Sequence, residues 1–127
     1  MHWLLVRGRG GHPLERLHGD PVAAHRSSKR PSVQPGDLAV LYASVWQAVY
    51  GIAEVTGPPE HDPERTRWAW QFPLRRLVVV DDLDRAPAVE EAGVFPSSLW
   101  RHSHIRLDDE QFARARALIA HAARSGH

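Results

Sequence analysis

The chain has 127 residues, 43% of them hydrophobic and 24% charged, a composition that predicts one globular domain over residues 1–127. It contains no cysteine, which excludes a disulfide framework, a thiolate zinc site and a cysteine nucleophile. The formal net charge of +1 excludes a global basic field. Any contact with nucleic acid therefore has to come from local basic patches.

The first apolar run, residues 3–6, has strand character and is followed by glycines. It is too short for a secretory signal or for a membrane span of about 20 residues. Together with the lack of cysteine, this leads us to expect a cytoplasmic protein without a membrane partner. The glycine-rich segment 8–11 lacks both the Gly-Lys-Ser/Thr ending of a phosphate loop and the third glycine of a dinucleotide loop, so it is interpreted as a turn.

Two further strands are predicted in the first half of the chain. Residues 12–34 are polar, contain three prolines and show no period, which indicates a long connection. A turn at Pro35-Gly36-Asp37 then leads into an apolar strand over residues 38–43, and residues 49–55 form the next strand. Their short separation favours an antiparallel hairpin. Gly51 within the second strand predicts a bulge or a close approach by another group.

An aromatic alternation marks the next strand. Trp68, Trp70, Phe72 and Leu74 recur with a period of two, which predicts a strand with one aromatic face, continued by residues 77–80. We expect the tryptophans of predicted strands, including Trp3, to lie in the core. A proline at position 73 predicts an edge, a kink or a bulge at that point.

Helical signals dominate the last third of the chain. Acidic residues and a terminal glycine predict a short helix within residues 81–93, followed by a loop over 95–100 and an extended segment over 104–107. Asp108 and Gln111 have the spacing of a capping box. Phe112, Ala115 and Ile119 then form the apolar face of a C-terminal helix. Several short strands with one good helix predict an α+β domain.

Catalytic and metal-binding patterns are weak. His102 and His104 would share one face of a strand, but no third ligand follows from the spacing, and His61-Asp62 is a candidate only by proximity. We therefore predict no metal and no cofactor. The serines lie mostly in predicted loops and none belongs to a Gly-x-Ser-x-Gly elbow, so no catalytic residue is assigned.

The aromatic residues in loops are the most informative candidates for binding. Trp46 follows the strand that ends in Tyr42 and Ser44, and Trp100 lies in a loop beside Arg101. Loop aromatics on a rigid scaffold provide platforms on which a planar ligand can stack. The alternative is that both rings only cap the ends of the predicted sheet and bind no ligand. Basic residues nearby in sequence would contact phosphates or simply face solvent: Arg26, Lys29, Arg30 and Arg101.

Several stretches taken together resemble the EVE family of the PUA-like superfamily, which also contains the YTH and ASCH domains. They are the opening His2-Trp3-Leu4-Leu5-Val6, the turn and strand Val33-Gln34-Pro35-Gly36-Asp37-Leu38-Ala39-Val40-Leu41-Tyr42-Ala43-Ser44, the strand Val49-Tyr50-Gly51-Ile52-Ala53-Glu54-Val55, and the ending His104-Ile105-Arg106-Leu107-Asp108. Their order and spacing cover nearly the whole chain.

The resemblance implies a curved, mostly antiparallel β-barrel of five to six strands with flanking helices, including a C-terminal helix. It also implies a pocket between the loops after the early strands, which holds a modified or flipped base. Members of the family carry a tryptophan in the loop after the first strand, whereas residues 7–30 of this chain contain none. One aromatic wall of the implied pocket is therefore unassigned.

These observations favour a binding module that reads a modified or flipped base in DNA or RNA, or a nucleotide-like small molecule. Its ligand-binding residues are predicted to be Trp46, Ser44, Tyr42, Trp100 and Val45. One alternative is an ASCH-like hydrolase acting on modified nucleosides, for which Lys29 and Glu54 are the visible candidates for acid–base chemistry. Another alternative is a module that binds a small molecule or a protein.

Overall fold

The computed structural model describes residues 1–7, 22–80, 82–99, 102 and 104–124. Its regular elements, within those ranges, are seven strands and one α-helix. They are β1 (His2–Arg7), β2 (Val22–Ser27), β3 (Leu38–Ala43), β4 (Ala48–Val55), β5 (Glu60–His61), β6 (Trp70–Val79), β7 (His104–Leu107) and α1 (Asp109–Arg124). Short 3₁₀ turns occupy Leu83–Arg85, Val89–Ala92 and Pro96–Leu99.

All strands belong to one sheet with the order β2-β6-β4-β3-β1-β7, and β5 adds a short pairing to β6. Among the strands of the described ranges, only the β1–β3 pair is parallel, and every other pair is antiparallel. Two ends of the sheet follow from these directions. At the turn end, β1 and β3 finish and β4 begins. At the distal end, β2 and β4 finish and β6 begins.

The sheet is strongly curled. Arg7 on β1 and His25 on β2 lie in strands that three others separate, yet Arg7 Nη1 is 3.4 Å from His25 Nδ1. This contact requires the two sides of the sheet to approach each other across its concave face. The curled, mostly antiparallel sheet with a C-terminal helix confirms the predicted α+β architecture, and β2 and β5 raise the number of strands above the five or six expected.

The curl separates two hydrophobic cores. Alternate residues of β1 show the division, because Leu4 and Val6 face α1, whereas Trp3 and Leu5 face the concave side. The helix-side core also receives the buried face of α1: Phe112, Ala115 and Ile119. The inner core is completed by aromatic and aliphatic residues of β3, β4 and β6: Ala39, Leu41, Ala43, Tyr50, Ala53, Val55, Phe72 and Leu74.

The locally encoded features are confirmed. β3 and β4 form the predicted antiparallel hairpin. Gly51 marks a close approach, since a Cβ there would lie 3.0 Å from the Val78 carbonyl oxygen. The capping box is formed at the start of α1, where the Gln111 amide donates to Asp108 Oδ1 at 2.7 Å and the Asp108 amide donates to Gln111 Oε1 at 3.1 Å.

Other expectations were wrong. β2 lies inside the segment predicted to be a connection; its buried positions include His25 and Ser27, so it lacks the apolar alternation that identifies a strand. Trp68 is outside β6, with a backbone φ of 50° and 46% of its surface exposed, so it is not a core residue. Trp70 is half-buried. The single short helix expected within residues 81–93 is two 3₁₀ turns, and residues 96–99 form a third.

The pairing of the neighbouring strands explains how a proline fits at position 73 of β6. The Thr56 amide donates to the Pro73 carbonyl at 3.1 Å, just beyond the end of the β4–β6 pairing. The backbone nitrogen and carbonyl oxygen of one strand residue point toward the same neighbouring strand. The nitrogen of Pro73 therefore points toward the position just beyond the end of β4, where no strand needs its N–H. The proline therefore removes no ladder hydrogen bond from β4.

Asp37 ties the turn before β3 to β1. This carboxylate is 8% exposed and accepts hydrogen bonds from Trp3 Nε1 and from the Gln34 amide, both at 2.9 Å. Burial alone would raise the pKa of Asp37, but these hydrogen bonds, together with the ammonium group of Met1, outweigh it. The pKa of Asp37 is therefore lowered from its ordinary value of 3.8.

We expect Asp37→Asn to lower the free energy of unfolding at neutral pH by about 1–3 kcal/mol, because the amide cannot replace the charged acceptor. The folded pKa lies below the unfolded one, so this stabilisation is present above the unfolded pKa and is lost as the pH falls through the folded value. Urea denaturation at neutral pH and at about pH 3 measures both effects. Exposed Asp84→Asn is the control, and an equal loss of stability in both variants would contradict the assignment.

Candidate nucleic-acid interface

A rigid turn over residues 44–47 connects β3 to β4 at the turn end. Gln47 has a backbone φ of 52°, in the left-handed region that few residues other than glycine adopt. Its carbonyl accepts a hydrogen bond from the Val89 amide at 3.0 Å, and the Val49 amide donates to the Pro87 carbonyl at 2.9 Å. The segment around Ala88 thus holds the turn from outside, as an extra pairing on β4.

The turn brings together three of the predicted ligand-binding residues. Ser44 is half-buried and its amide donates to the Arg7 carbonyl at 3.1 Å, whereas Val45 is 67% exposed. Trp46 is half-buried, with part of its ring packed on the inner core. Its remaining surface is accessible to solvent.

Tyr42 lies elsewhere. It is 3% exposed within the helix-side core, on the face of the sheet opposite to the one that Trp46 contacts. Burial raises the pKa of its phenol from the ordinary value of 10.0. Trp100 and Arg101 lie outside the described residues.

A polar group lies on the concave face beneath the turn. Arg7 contacts His25 and hydrogen-bonds Tyr50, and Arg76 lies near the same phenol. We call these four residues the inner polar group. Burial raises the pKa of Tyr50, and the charges of Arg7 and Arg76 only partly oppose this, so Tyr50 is a neutral hydroxyl at neutral pH.

The sequence carries a signal for part of the inner polar group, although none of its members is among the predicted site residues. The period of two along β1 places Arg7 on the same face as Trp3 and Leu5, which would have indicated a cation on the concave side. No such signal existed for His25, because β2 was not recognised. Its partner Phe72 is paired with it across β2 and β6, with the two ring centroids 5.5 Å apart.

The other predicted phosphate contacts lie at the distal end. Ser27 is paired with Trp70, so Lys29 and Arg30 follow β2 where β6 begins. Lys29 and Arg30 therefore leave the sheet at its distal end, whereas Trp46 follows β3 at the turn end. Arg26 lies on β2 near the same end, and its Nη1 is buried without a hydrogen-bond partner in the described part of the chain.

The histidines considered as metal ligands and the acid–base candidates do not converge on the turn. His104 begins β7 and contacts the edge of the Trp3 ring at a centroid distance of 5.7 Å; burial, with a smaller effect of His102, lowers the pKa of His104 from 6.5. Lys29 is at the distal end, and Glu54 is paired with Leu38 where β3 begins. Across the described ranges, no three His, Cys, Asp or Glu side chains form a group that could hold a metal ion.

No α-helix within the described residues is both long enough and apolar enough to cross a membrane. Comparison with families of known proteins gives no matching family model. Comparison with curated proteins likewise gives no match.

Solved structures, by contrast, share this fold over almost the whole chain. A hypothetical protein from Leishmania major has a TM-score of 0.72 at 14% identity, covering 94% of each chain. Rpa0253 from Rhodopseudomonas palustris has a TM-score of 0.67 at 14% identity, covering 99% of this chain and 97% of that one. Human THYN1, solved in complex with DNA containing 5-methylcytosine, has a TM-score of 0.64 at 12% identity, covering 93% and 96%. These likenesses confirm the PUA-like fold that the resemblance to the EVE family implied.

We expect Gln47→Val to lower the free energy of unfolding by about 1–2 kcal/mol, because a β-branched residue is strained in the left-handed region. The Gln47 side chain is exposed, so little packing is lost with it. Gln47→Gly is the matched variant, and it should be at least as stable as the wild type. Thermal and urea denaturation measure this difference; equal stability of the two variants would show that the left-handed residue does not hold the turn.

Proposed function

We propose that the protein is a nucleic-acid reader that binds a modified or extruded base at the turn end of its sheet. The observation that carries the proposal is the braced turn that holds Trp46 over the concave face. Hydrogen bonds from both sides fix the backbone of this turn, so the ring needs little reorganisation to accept a planar ligand. The THYN1 complex, which has the same fold and contains methylated DNA, supports a nucleic-acid ligand.

In this proposal, the base stacks on the accessible part of Trp46, and Ser44 with its neighbouring backbone groups binds the edge of the base. Val45 would contact the ligand from the tip of the turn, where it is exposed. Trp100 would supply the second aromatic wall, since Tyr42 lies on the other face of the sheet. Arg101 would contact the adjoining phosphate.

The inner polar group gives this site its chemistry beneath the ring. Arg7 is half-buried on the concave side and carries guanidinium N–H donors, whereas Tyr50 is 2% exposed and would orient Arg7 through their hydrogen bond instead of contacting a ligand itself. Donors of this kind suit the carbonyl oxygens and ring nitrogens of a base. Extruding a base from a stack costs a few kcal/mol, which stacking in an enclosed aromatic site can offset.

Trp46→Ala is expected to weaken binding of an oligonucleotide containing 5-methylcytosine by about 5- to 150-fold, which corresponds to about 1–3 kcal/mol for one stacked base. Fluorescence anisotropy with matched methylated and unmethylated DNA and RNA measures both affinity and preference. Trp46→Phe should recover much of the binding, because it keeps an aromatic face and most of the contact with the inner core.

The comparison of these two variants separates binding from folding. If Trp46→Ala loses both thermal stability and affinity, the Phe variant decides whether the ring itself is required. An alanine variant that remains folded and binds the methylated strand as tightly as the wild type would refute the proposed site.

A further inference from the structure

The distal end carries a second group of aromatic and basic side chains that the proposed base site does not use. Arg30 Cζ lies 5.7 Å from the centroid of the Trp70 ring, and Arg67 Cζ lies 5.7 Å from that of Trp68. His61 packs its edge against Trp70 at a centroid distance of 5.0 Å. We call Trp68, Trp70, Arg30 and Arg67, together with adjacent Lys29 and Arg65, the distal platform.

Trp68 combines an unfavourable backbone conformation with high solvent exposure. Its backbone φ of 50° is unfavourable for a bulky residue, and 46% of its surface is exposed to solvent. An exposed aromatic ring contributes little to the stability of the fold, whereas backbone strain of this kind costs stability and clusters at functional sites. The backbone of the loop that carries Trp68 is closed by a hydrogen bond of 2.7 Å from the Asp62 amide to the Ala69 carbonyl.

The cations of the distal platform are not neutralised by ion pairs. In the described part of the chain, no carboxylate forms an ion pair with Lys29, Arg30, Arg65 or Arg67. Acidic residues are present in the same loop, but the carboxylate of Asp62 accepts the Glu64 amide at 3.0 Å instead of a basic side chain. The basic groups are thus available to an external anion beside two aromatic rings.

We propose that the distal platform binds single-stranded nucleic acid without regard to its sequence or modification. An unpaired base would stack on Trp68, and Arg67, Arg65, Lys29 and Arg30 would contact the phosphates on either side. Aromatic rings interleaved with cations are the usual means of binding a single strand, because every base has a face that can stack. An arginine lying over each ring extends that flat surface and adds a charge to it.

An anionic membrane is the other surface with matching charge, but it fits less well. Insertion into the headgroup region needs a contiguous apolar face. Of the large hydrophobic residues that are exposed in the described structure, only Trp68 belongs to the distal platform. The partner with the complementary chemistry is therefore a polyanion that also offers stacking surfaces.

The test uses an unmodified oligo(dT) strand of about 16 nucleotides, long enough for one binding surface of this size. Trp68→Asn removes the ring and keeps a residue that adopts left-handed backbone readily, so its thermal midpoint should not fall. Its affinity for oligo(dT) should fall about 5- to 150-fold. Phe95→Ala, which removes an exposed aromatic side chain elsewhere, is the matched control and should bind as the wild type does.

The charges are tested by the salt dependence of the same binding. Arg30→Gln combined with Arg67→Gln should reduce the slope of log affinity against log salt by about 1.4, because each phosphate contact on a single strand contributes about 0.7. Arg116→Gln combined with Arg124→Gln, two exposed positions of α1, removes the same charge and should leave the slope much closer to that of the wild type.

The outcomes separate this inference from the proposed base site. The ratio of affinities for methylated and unmethylated strands should be the same in Trp68→Asn and in the wild type, since the platform ignores modification. Unchanged oligo(dT) binding in both platform variants, or no oligo(dT) binding by the wild type, would overturn the distal platform even if the ratio persists. If the platform variants lose binding to phosphatidylserine vesicles but keep binding to oligo(dT), the surface is a membrane-binding site, and the proposed role of the distal platform is overturned.

Discussion

The parallel pairing of β1 with β3 is the constraint on which the arrangement of the whole molecule depends. Both strands finish at the turn end, so the chain leaving β1 must travel back to the distal end before β3 can begin. A tight hairpin cannot make that return, and a crossover of a dozen or more residues is needed. Here the crossover contains β2, which crosses to the far side of the sheet and pairs with β6.

This crossover explains why basic residues and the aromatic turn are separated. Residues that follow β2 emerge at the distal end, whereas residues that follow β3 emerge at the turn end. Lys29 follows β2 and Trp46 follows β3, so the two residues leave the sheet at opposite ends of its strands. The same path curls the sheet, because β2 must approach β1 across the concave face for His25 to reach Arg7.

Features encoded by local sequence could be predicted, and features that depend on the crossover could not. The β3–β4 hairpin and the capping box of α1 each depend on residues close together in the chain, and both were found. β2 is defined by its pairing with β6, and its buried histidine and serine hide that pairing from a pattern search. In the sequence, Trp68 continues the aromatic alternation of β6. In the structure, Trp68 lies in the loop that Asp62 and Ala69 close, and β6 begins only at Trp70.

The residues of the candidate site also divide into those that local sequence groups together and those whose positions depend on the crossover. Trp46, Ser44 and Val45 belong to one turn, so a sequence argument could group them correctly. Tyr42 precedes them by a short step, yet the alternation of β3 turns its side chain to the helix side. Nothing in the sequence could place Lys29 and Arg30 relative to Trp46, because their positions follow from a strand that sequence patterns did not reveal.

Two separate surfaces would give such a small domain a division between affinity and selectivity. With a net charge of +1, the chain attracts a polyanion only where its cations are grouped and unpaired, as they are at the distal end. Contacts to phosphates and stacked bases there would strengthen binding to every strand equally. Discrimination between bases would then arise only at the turn end, where one base must leave its stack to reach Trp46. Because the distal contacts add the same free energy to modified and unmodified ligands, they would raise affinity without diluting the preference set at the turn.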